Sequence, residues 1–538
     1  MGSALRIALM APMLLALMAS LAQHARAEDR IAVTVDAARP PAARIQSPWN
    51  TLTCFVPKGI PASYRDHYPM IRYICFFNAT GGRPGNPEME LYDEDADGRP
   101  VYHFERLTGR TDTVLAAGFT PYLALSGSPL KLASNPDAIS SSFHCTTSPP
   151  ADWDKYREFI RALFRHLSDR YGADALPSWR FRCMTEQDNH NWWSGTMEEW
   201  FKFYDYTVSG ARAANPAVCI CPGNLMNRRT PWLTEYARRV QEGAFSIPGE
   251  MPYVPPMVTF SFYRPWRIGN SDGPMDMVHD MNAVREQLAP FPAFDGVPLG
   301  IDEGLIGVDD DNHVLWGRLD GTHLGAAYFA MLSEKLVDRR VASAPLWDAG
   351  VSEVPIAARN VLDLFQQRLA DREQLSVEVD AGAATGQDQL GALAGRETSE
   401  DGRALTVMLY DYNRQRDANE RQSLTVRLRG LPPGPVRVTR FAIDREHGNY
   451  RPLWLADVAH VERREASPYD VSPFSAWGPA CRQVWAANRE SYAGAARVEA
   501  QVDGSANTVA PDGTLLIPVE LRSNSVVFLV IEPGRPAS

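Results

Sequence analysis

Cysteine is scarce in this 538-residue chain, seven in all, and the spacing of those seven matches no zinc-ligand pattern. Cys183, Cys219 and Cys221 are the closest grouping, but they fall in segments that read as strands, where small buried cysteines are ordinary. No metal and no cofactor is expected. Positive charge is also in deficit, with 54 Lys and Arg against 65 Asp and Glu and a formal net charge of -11. An acidic surface repels phosphate backbones and argues against a nucleic-acid partner. Beyond the N-terminus no apolar run approaches the ~20 residues that a membrane-spanning helix needs. Repeats and low-complexity blocks are missing too. With 45% apolar and 22% charged residues, a fibrous or mainly disordered chain is excluded.

What is present begins with a secretory pattern. Arg6 precedes an apolar run from Ile7 to about Leu21, and Ala25-Arg26-Ala27 supplies a small-x-small cleavage site. Residues 1–27 are therefore expected to be a signal peptide, and the mature chain periplasmic or secreted, with no integral membrane segment. Losing Arg6 and Arg26 takes the net charge from -11 to -13. An odd number of cysteines in an exported chain leaves at least one thiol free or paired between molecules.

From residue 49 to 372 short apolar runs alternate with longer amphipathic ones. Strands are predicted at 49–55, 70–77, 120–125, 179–184, 218–222, 257–263, 297–301 and 341–347. Between them, Trp153, Tyr156, Phe159, Ile160, Leu163, Phe164, Leu167 and Tyr171 recur at helical spacing, entered through Pro149-Pro150. Thr196 with Glu199 forms a capping-box pattern, and Leu324 to Leu336 carries a third helical stripe. Eight such alternations predict a (β/α)8 TIM barrel, so the fold class is α/β. Residues 373–538 change to a period near two, at 405–412, 424–431, 436–443, 515–521 and 526–531, with Gly and Pro turns between. That predicts an accessory antiparallel β-sandwich domain, which residues 28–48 should join through a strand at 31–35. Residues 459–495 read as helix and loop.

Barrel proteins carry their reacting groups where the strands end. The fourth predicted strand leads into Thr185-Glu186-Gln187-Asp188, and the seventh into Asp302-Glu303-Gly304. Two carboxyls facing each other across a barrel mouth at ~5–5.5 Å could split the work of glycoside cleavage between acid and nucleophile. Taken singly, each could equally be a salt-bridged surface acid. The 13 Trp, 19 Tyr and 21 Phe include candidates for stacking on sugar rings, though most should fill the core.

Longer segments carry a resemblance. Tyr102-His103-Phe104 with Ala117 to Leu123, Pro149 to Tyr171 with Trp179-Arg180-Phe181, then Trp192-Trp193, Gly195-Thr196, Glu198 and Tyr204-Asp205, and late in the chain Val407 to Asn413 and Arg440 to Asn449, follow one another in a particular order and spacing. In these the chain resembles glycoside hydrolase family 39, which includes β-xylosidases and α-L-iduronidases. The resemblance implies an exo-acting retaining glycosidase, with a carbohydrate substrate as partner. It implies Glu186 as general acid/base and Glu303 as nucleophile. Glu186 should then be protonated at first, its pKa raised by the charge of Glu303.

Several positions depart from the family. The acid/base usually follows Asn and precedes Pro, but here Thr185 and Gln187 flank it. An Arg-x-His after the second strand reads Arg72-Tyr73-Ile74, and a histidine is missing from Phe260-Ser261-Phe262-Tyr263. Lost polar contacts imply a changed sugar or lost turnover. Thr185, Gln187, His190, Trp192, Trp193, Tyr263, Trp266 and Trp347 are the substrate-binding candidates, with Trp347 as a stacking floor. His144, His279 and Trp316 are further candidates, each more readily read as an ordinary loop residue. Alternatives in other classes are a non-catalytic carbohydrate-binding barrel and an endo-acting exopolysaccharide hydrolase. Two patterns are decoys. Asp93 to Gly98 opens like a calcium loop but carries Phe104 where a glutamate is needed, and Asn78-Ala79-Thr80 is a glycosylation sequon by pattern only.

Overall fold

In the computed structural model the described residues are 31–41, 43–54, 59–141, 144–262, 274–304, 321–347, 354–380, 388–397, 404–415, 417–459, 479–503 and 507–534. Eight parallel strands form a barrel: β1 (Trp49–Cys54), β2 (Tyr73–Phe76), β3 (Thr120–Ala124), β4 (Arg180–Thr185), β5 (Cys221–Leu225), β6 (Val258–Phe262), β7 (Leu299–Gly304) and β8 (Ala344–Trp347). Neighbours pair in chain order, β1 also pairs with β8, and a bridge between Gly300 and Ser343 brings β7 to β8. The fold class is a TIM barrel with an accessory antiparallel sandwich.

The helices form where apolar spacing and caps coincide. Helix α1 (Trp153–Tyr171) buries Tyr156, Phe159, Ile160, Leu163, Phe164 and Leu167 on one stripe. Its cap is Asp152, which accepts from the backbone N–H groups of Asp154 and Lys155, and not the Pro149-Pro150 pair. Helix α2 (Met197–Ala214) starts with the reciprocal Thr196–Glu199 capping box. Helix α3 (His323–Asp338) is apolar nearly all round because it lies between two layers. One side faces the barrel, and the other meets the sandwich strand Leu405–Asn413, where Tyr410 donates to Glu334. Met408, Tyr410, Tyr412, Val526 and Phe528 thereby join the barrel's core cluster.

The sandwich has a four-stranded sheet ordered Ser376–Val379, Ile31–Asp36, Arg421–Arg429 and Leu515–Arg522. Its other sheet contains Asp388–Arg396, Leu405–Asn413, Ser525–Pro533 and Gly434–Ile443. Ile31–Asp36 runs parallel to Arg421–Arg429, so the chain crosses this sandwich before it enters the barrel. Asp388–Arg396 and Ser376–Val379 are additional to the expected strands. Helices Arg451–Asp457 and Pro479–Ala496 close over a small cluster of Tyr450, Trp454, Trp485 and Tyr492. No helix among the described residues is long and apolar enough to cross a membrane.

Candidate active site

Strand β4 alternates, so Arg180 and Arg182 share one face, while Phe181 and Cys183 on the other meet Phe164 and Thr207 of the helices. Arg180 and Arg182 point into the barrel, an expensive place for charge unless it is compensated. Arg180 donates to Ser343 and Thr51 near the strands' N-terminal ends, and its guanidinium lies 3.8 Å from the Tyr73 ring centroid. Arg182 is fully buried nearer the mouth. Its Nη1 donates to Asp302 Oδ2 at 3.2 Å, and its Nη2 donates to Glu303 Oε1 at 3.0 Å and Thr185 Oγ1 at 3.1 Å.

Asp302 and Glu303 are consecutive, and regular alternation would send them to opposite faces. A register shift between Ile301 and Glu303, where β7 pairs with β6, removes that conflict. Both carboxyls face inward. Tyr122 on β3 and Thr259 on β6 donate to Asp302 Oδ2 at 2.6 and 2.7 Å.

Glu186 follows β4 directly and takes a left-handed backbone, φ 42°, unusual for a residue with a side chain. Asn189 Nδ2 donates to its Oε2 at 3.0 Å. Glu186 is 6% exposed and Glu303 2%, so neither is a solvated surface acid. They are joined by a residue that the sequence reading passes over. Asn224 on β5 accepts from the Glu186 N–H at 3.4 Å through Oδ1, while its Nδ2 donates to Glu303 Oε1 at 3.1 Å and Ser261 Oγ at 2.7 Å.

Strand β5 begins at Cys221, whereas the sequence reading ends its strand at Pro222. Pro222-Gly223-Asn224 carries turn residues, so the sequence signal points away from a strand. Gly223 is needed because the Gln187 side chain crosses it: a Cβ there would lie 2.5 Å from Gln187 Oε1 and 2.7 Å from the Met184 carbonyl. Asp188 fixes the next loop by accepting from the N–H groups of Met226 and Asn227, both at 2.8 Å.

The other candidates divide. Thr185 is buried and held by Arg182, and Gln187 is buried beside Gly223. His190, His144 and His279 are exposed. Trp192 is buried and stacks on Phe77 at 6.2 Å between centroids. Trp193 is a core side chain, its Nε1 donating to the Thr196 carbonyl and its ring against Phe203. Tyr263, Trp266 and Trp316 lie outside the described residues, as does the side chain of Trp347, the last residue of β8. Arg182, Asp302, Asn224, Asn189 and Ser261 are site residues beyond the candidates. The inward face of β2 carries Tyr73 and Cys75 instead, clustered with Tyr122.

The remaining patterns resolve simply. Cys75, Cys145, Cys183, Cys219 and Cys221 are free thiols. Cys183 and Cys221 lie in strands as expected, whereas Cys219 is exposed and precedes β5. Asn78 of the sequon is fully buried, bonded to Ser126, and closed to glycosylation in the folded chain. Asp95 caps its own turn by accepting from the N–H groups of Asp97 and Arg99.

Fold and paired acids define a class: a barrel-and-sandwich protein with two buried glutamates, from β4 and β7, joined at one mouth through an asparagine. Glycosyl hydrolases family 39 matches residues 33–247. Over these residues, which run from the first sandwich strand through barrel strand β5, the chain is similar to that family. A β-xylosidase of Geobacillus stearothermophilus is 26% identical over 287 residues, covering 51% of this chain and 55% of the relative. Human α-L-iduronidase is 26% identical over 391 residues, covering 63% of this chain and 56% of the relative. The chain thus spans little more than half the length of these curated relatives. A family-39 enzyme structure from Xanthomonas axonopodis pv. citri shares the fold, with a TM-score of 0.68 at 18% identity, over 93% of this chain and 97% of that one.

Proposed function

We propose that this protein is an exported, exo-acting glycoside hydrolase that removes a terminal sugar with retention of configuration. The observation that carries the reading is the Asn224 bridge, which couples the Glu186 backbone and the Glu303 carboxylate at one barrel mouth. The family match and the β-xylosidase relative supply the reaction class. Glu303, ionised against Arg182, attacks the anomeric carbon, and Glu186 protonates the leaving oxygen. A glycosyl ester forms on Glu303, after which Glu186 takes a proton from water and the water displaces the ester. Asn189, donating to Glu186 Oε2, leaves Oε1 as the oxygen to carry the shuttled proton.

The sugar is expected to differ from xylose and iduronate. Thr185 is buried against Arg182, and β2 presents Tyr73 and Cys75 inward. Export rests on the Arg6-to-Ala27 pattern.

The test is hydrolysis of a panel of 4-nitrophenyl and 4-methylumbelliferyl glycosides by wild type, Glu186→Gln and Glu303→Gln. Cleavage of at least one glycoside, abolished by either substitution, is expected. Full activity in both variants overturns the assignment of the two glutamates. Glycan binding with no cleavage across the panel favours the non-catalytic alternative, and ordinary efficiency on β-D-xylosides overturns the changed sugar.

A further inference from the structure

Within the described part of the barrel interior, one cation reaches the seventh-strand acids. Arg180 is spent near the opposite end on Ser343, Thr51 and the Tyr73 ring. Arg182 spans Asp302, Glu303 and Thr185 in a single plane of donors, with its carbon over Phe77 at 5.2 Å and Tyr122 at 5.8 Å. Aromatic faces and carboxylates offset part of the desolvation of the guanidinium, whose two Nη atoms are bonded and whose buried Nε is not.

The groups around Glu303 can be assigned their charge strand by strand. Cys75 on β2 is pushed up to about 12 by burial, and so is neutral. Tyr122 on β3 is driven well above its ordinary range, first by burial and then by Asp302, and is neutral too. Strands β5 and β6 contribute Asn224, Ser261 and Thr259, which carry no charge. Cys221 on β5 is pushed up to about 12 by burial and is neutral as well. Among the described residues, the charged groups left are Arg182 between Asp302 and Glu303, with Glu186 following β4. Two adjacent buried carboxylates would ordinarily force one to keep its proton, and a shared guanidinium removes that need. Arg182 and Asn224 converge on one oxygen of Glu303, Oε1, which fixes the plane of the carboxylate.

We propose that Arg182, supplied by β4, is the positioning residue of the nucleophile: it holds Glu303 ionised and oriented through Oε1, while Asp302 balances its charge. This rests on the reading of Glu303 as nucleophile. Arg182 touches no reacting atom and acts through Glu303, so its removal must change the titration of Glu303 as well as the rate.

The experiment compares wild type, Arg182→Gln, Arg182→Lys and the double variant Arg182→Gln/Asp302→Asn. Glu303 is titrated by carboxyl 13C NMR of glutamate-labelled protein, its resonance identified by subtracting the spectrum of Glu303→Gln. Arg182→Gln should raise the Glu303 pKa by about 1–3 units, the effect of losing an adjacent opposite charge. On the aryl glycoside that wild type cleaves best, the acid limb of kcat/KM should move up equally. The rate constant kcat should fall at least about a hundredfold, more than KM changes. Arg182→Lys should restore the titration but not the full rate, because it keeps the charge and loses the fork. Should Arg182→Gln fail to fold, the double variant, which leaves no unbalanced Asp302, carries the same titration test. An unchanged Glu303 titration in a folded Gln variant overturns the proposal. Full activity of Glu303→Gln overturns instead the functional reading, and the NMR titration still decides whether Arg182 sets the charge of Glu303.

Discussion

Among the described residues one pair of buried carboxyls stands in the barrel and another in the sandwich, and they are held by different chemistry. In the barrel, Asp302 and Glu303 share the guanidinium of Arg182. In the sandwich, Gln422 Nε2 donates to both Asp388 Oδ2 and Asp411 Oδ2 at 2.9 Å, and Asn413 and Ser523 donate to Asp388 Oδ1. Amides and a hydroxyl reach three of the four oxygens, bring no charge, and leave Asp411 Oδ1 without such a donor. Burial, then the adjoining Asp388 and Glu420, push Asp411 up to about 8. A hydrogen bond fixes where a carboxyl sits, but a cation is what lets two stay ionised together. The barrel carries its desolvated arginine beside Glu303, the proposed nucleophile, where a persistent negative charge would do chemistry. The sandwich, which has none to maintain, holds a proton at neutral pH.

The comparison can be broken from either side. The largest effect belongs to the barrel pair: Glu303→Gln should lower kcat more than about a thousandfold with the fold retained, as checked by steady-state rates and circular dichroism. Arg182→Met should destabilise by about 3–5 kcal/mol in urea unfolding, because it strands two buried carboxylates. The sandwich pair should respond in the opposite sense. Asp411 is raised in the folded state, so its contribution is full below the unfolded pKa near 4 and is lost as pH rises toward 8. Asp411→Asn imitates the protonated form, and should stabilise by on the order of a few kcal/mol at pH 8 and by little at pH 4. Urea unfolding at the two pH values checks it. The smallest effect tests the frame around Glu186. Gly223→Ala forces Gln187 and the Met184 carbonyl aside, and should cost about 1–3 kcal/mol while lowering kcat more than it changes KM.

Much of the fold is legible in the sequence, because strand and helix periods are written in apolar spacing. The α1 stripe and the Thr196–Glu199 box fall where the pattern puts them. Glu186 and Glu303 stand at or just past the ends of β4 and β7, as acids closing apolar runs announce. The groups that organise them are not legible. Arg182 alternates with Phe181 and Cys183, a pattern equally suited to a strand with a solvated face. Asp302 and Glu303 both face inward only through a register shift that no local signal predicts. Asn224 is hidden behind Pro222-Gly223, whose turn chemistry is overridden by the close crossing of Gln187. Trp193 shows the opposite error: an aromatic beside an acid in sequence belongs to the core, because α2 packs over it.

Double displacement through Glu303 and Glu186 can be read from proton NMR of the sugar first released from an aryl glycoside that wild type cleaves. With retention, this sugar appears in the anomeric configuration of the substrate and only later mutarotates. First release of the opposite anomer would rule out a glycosyl ester on Glu303.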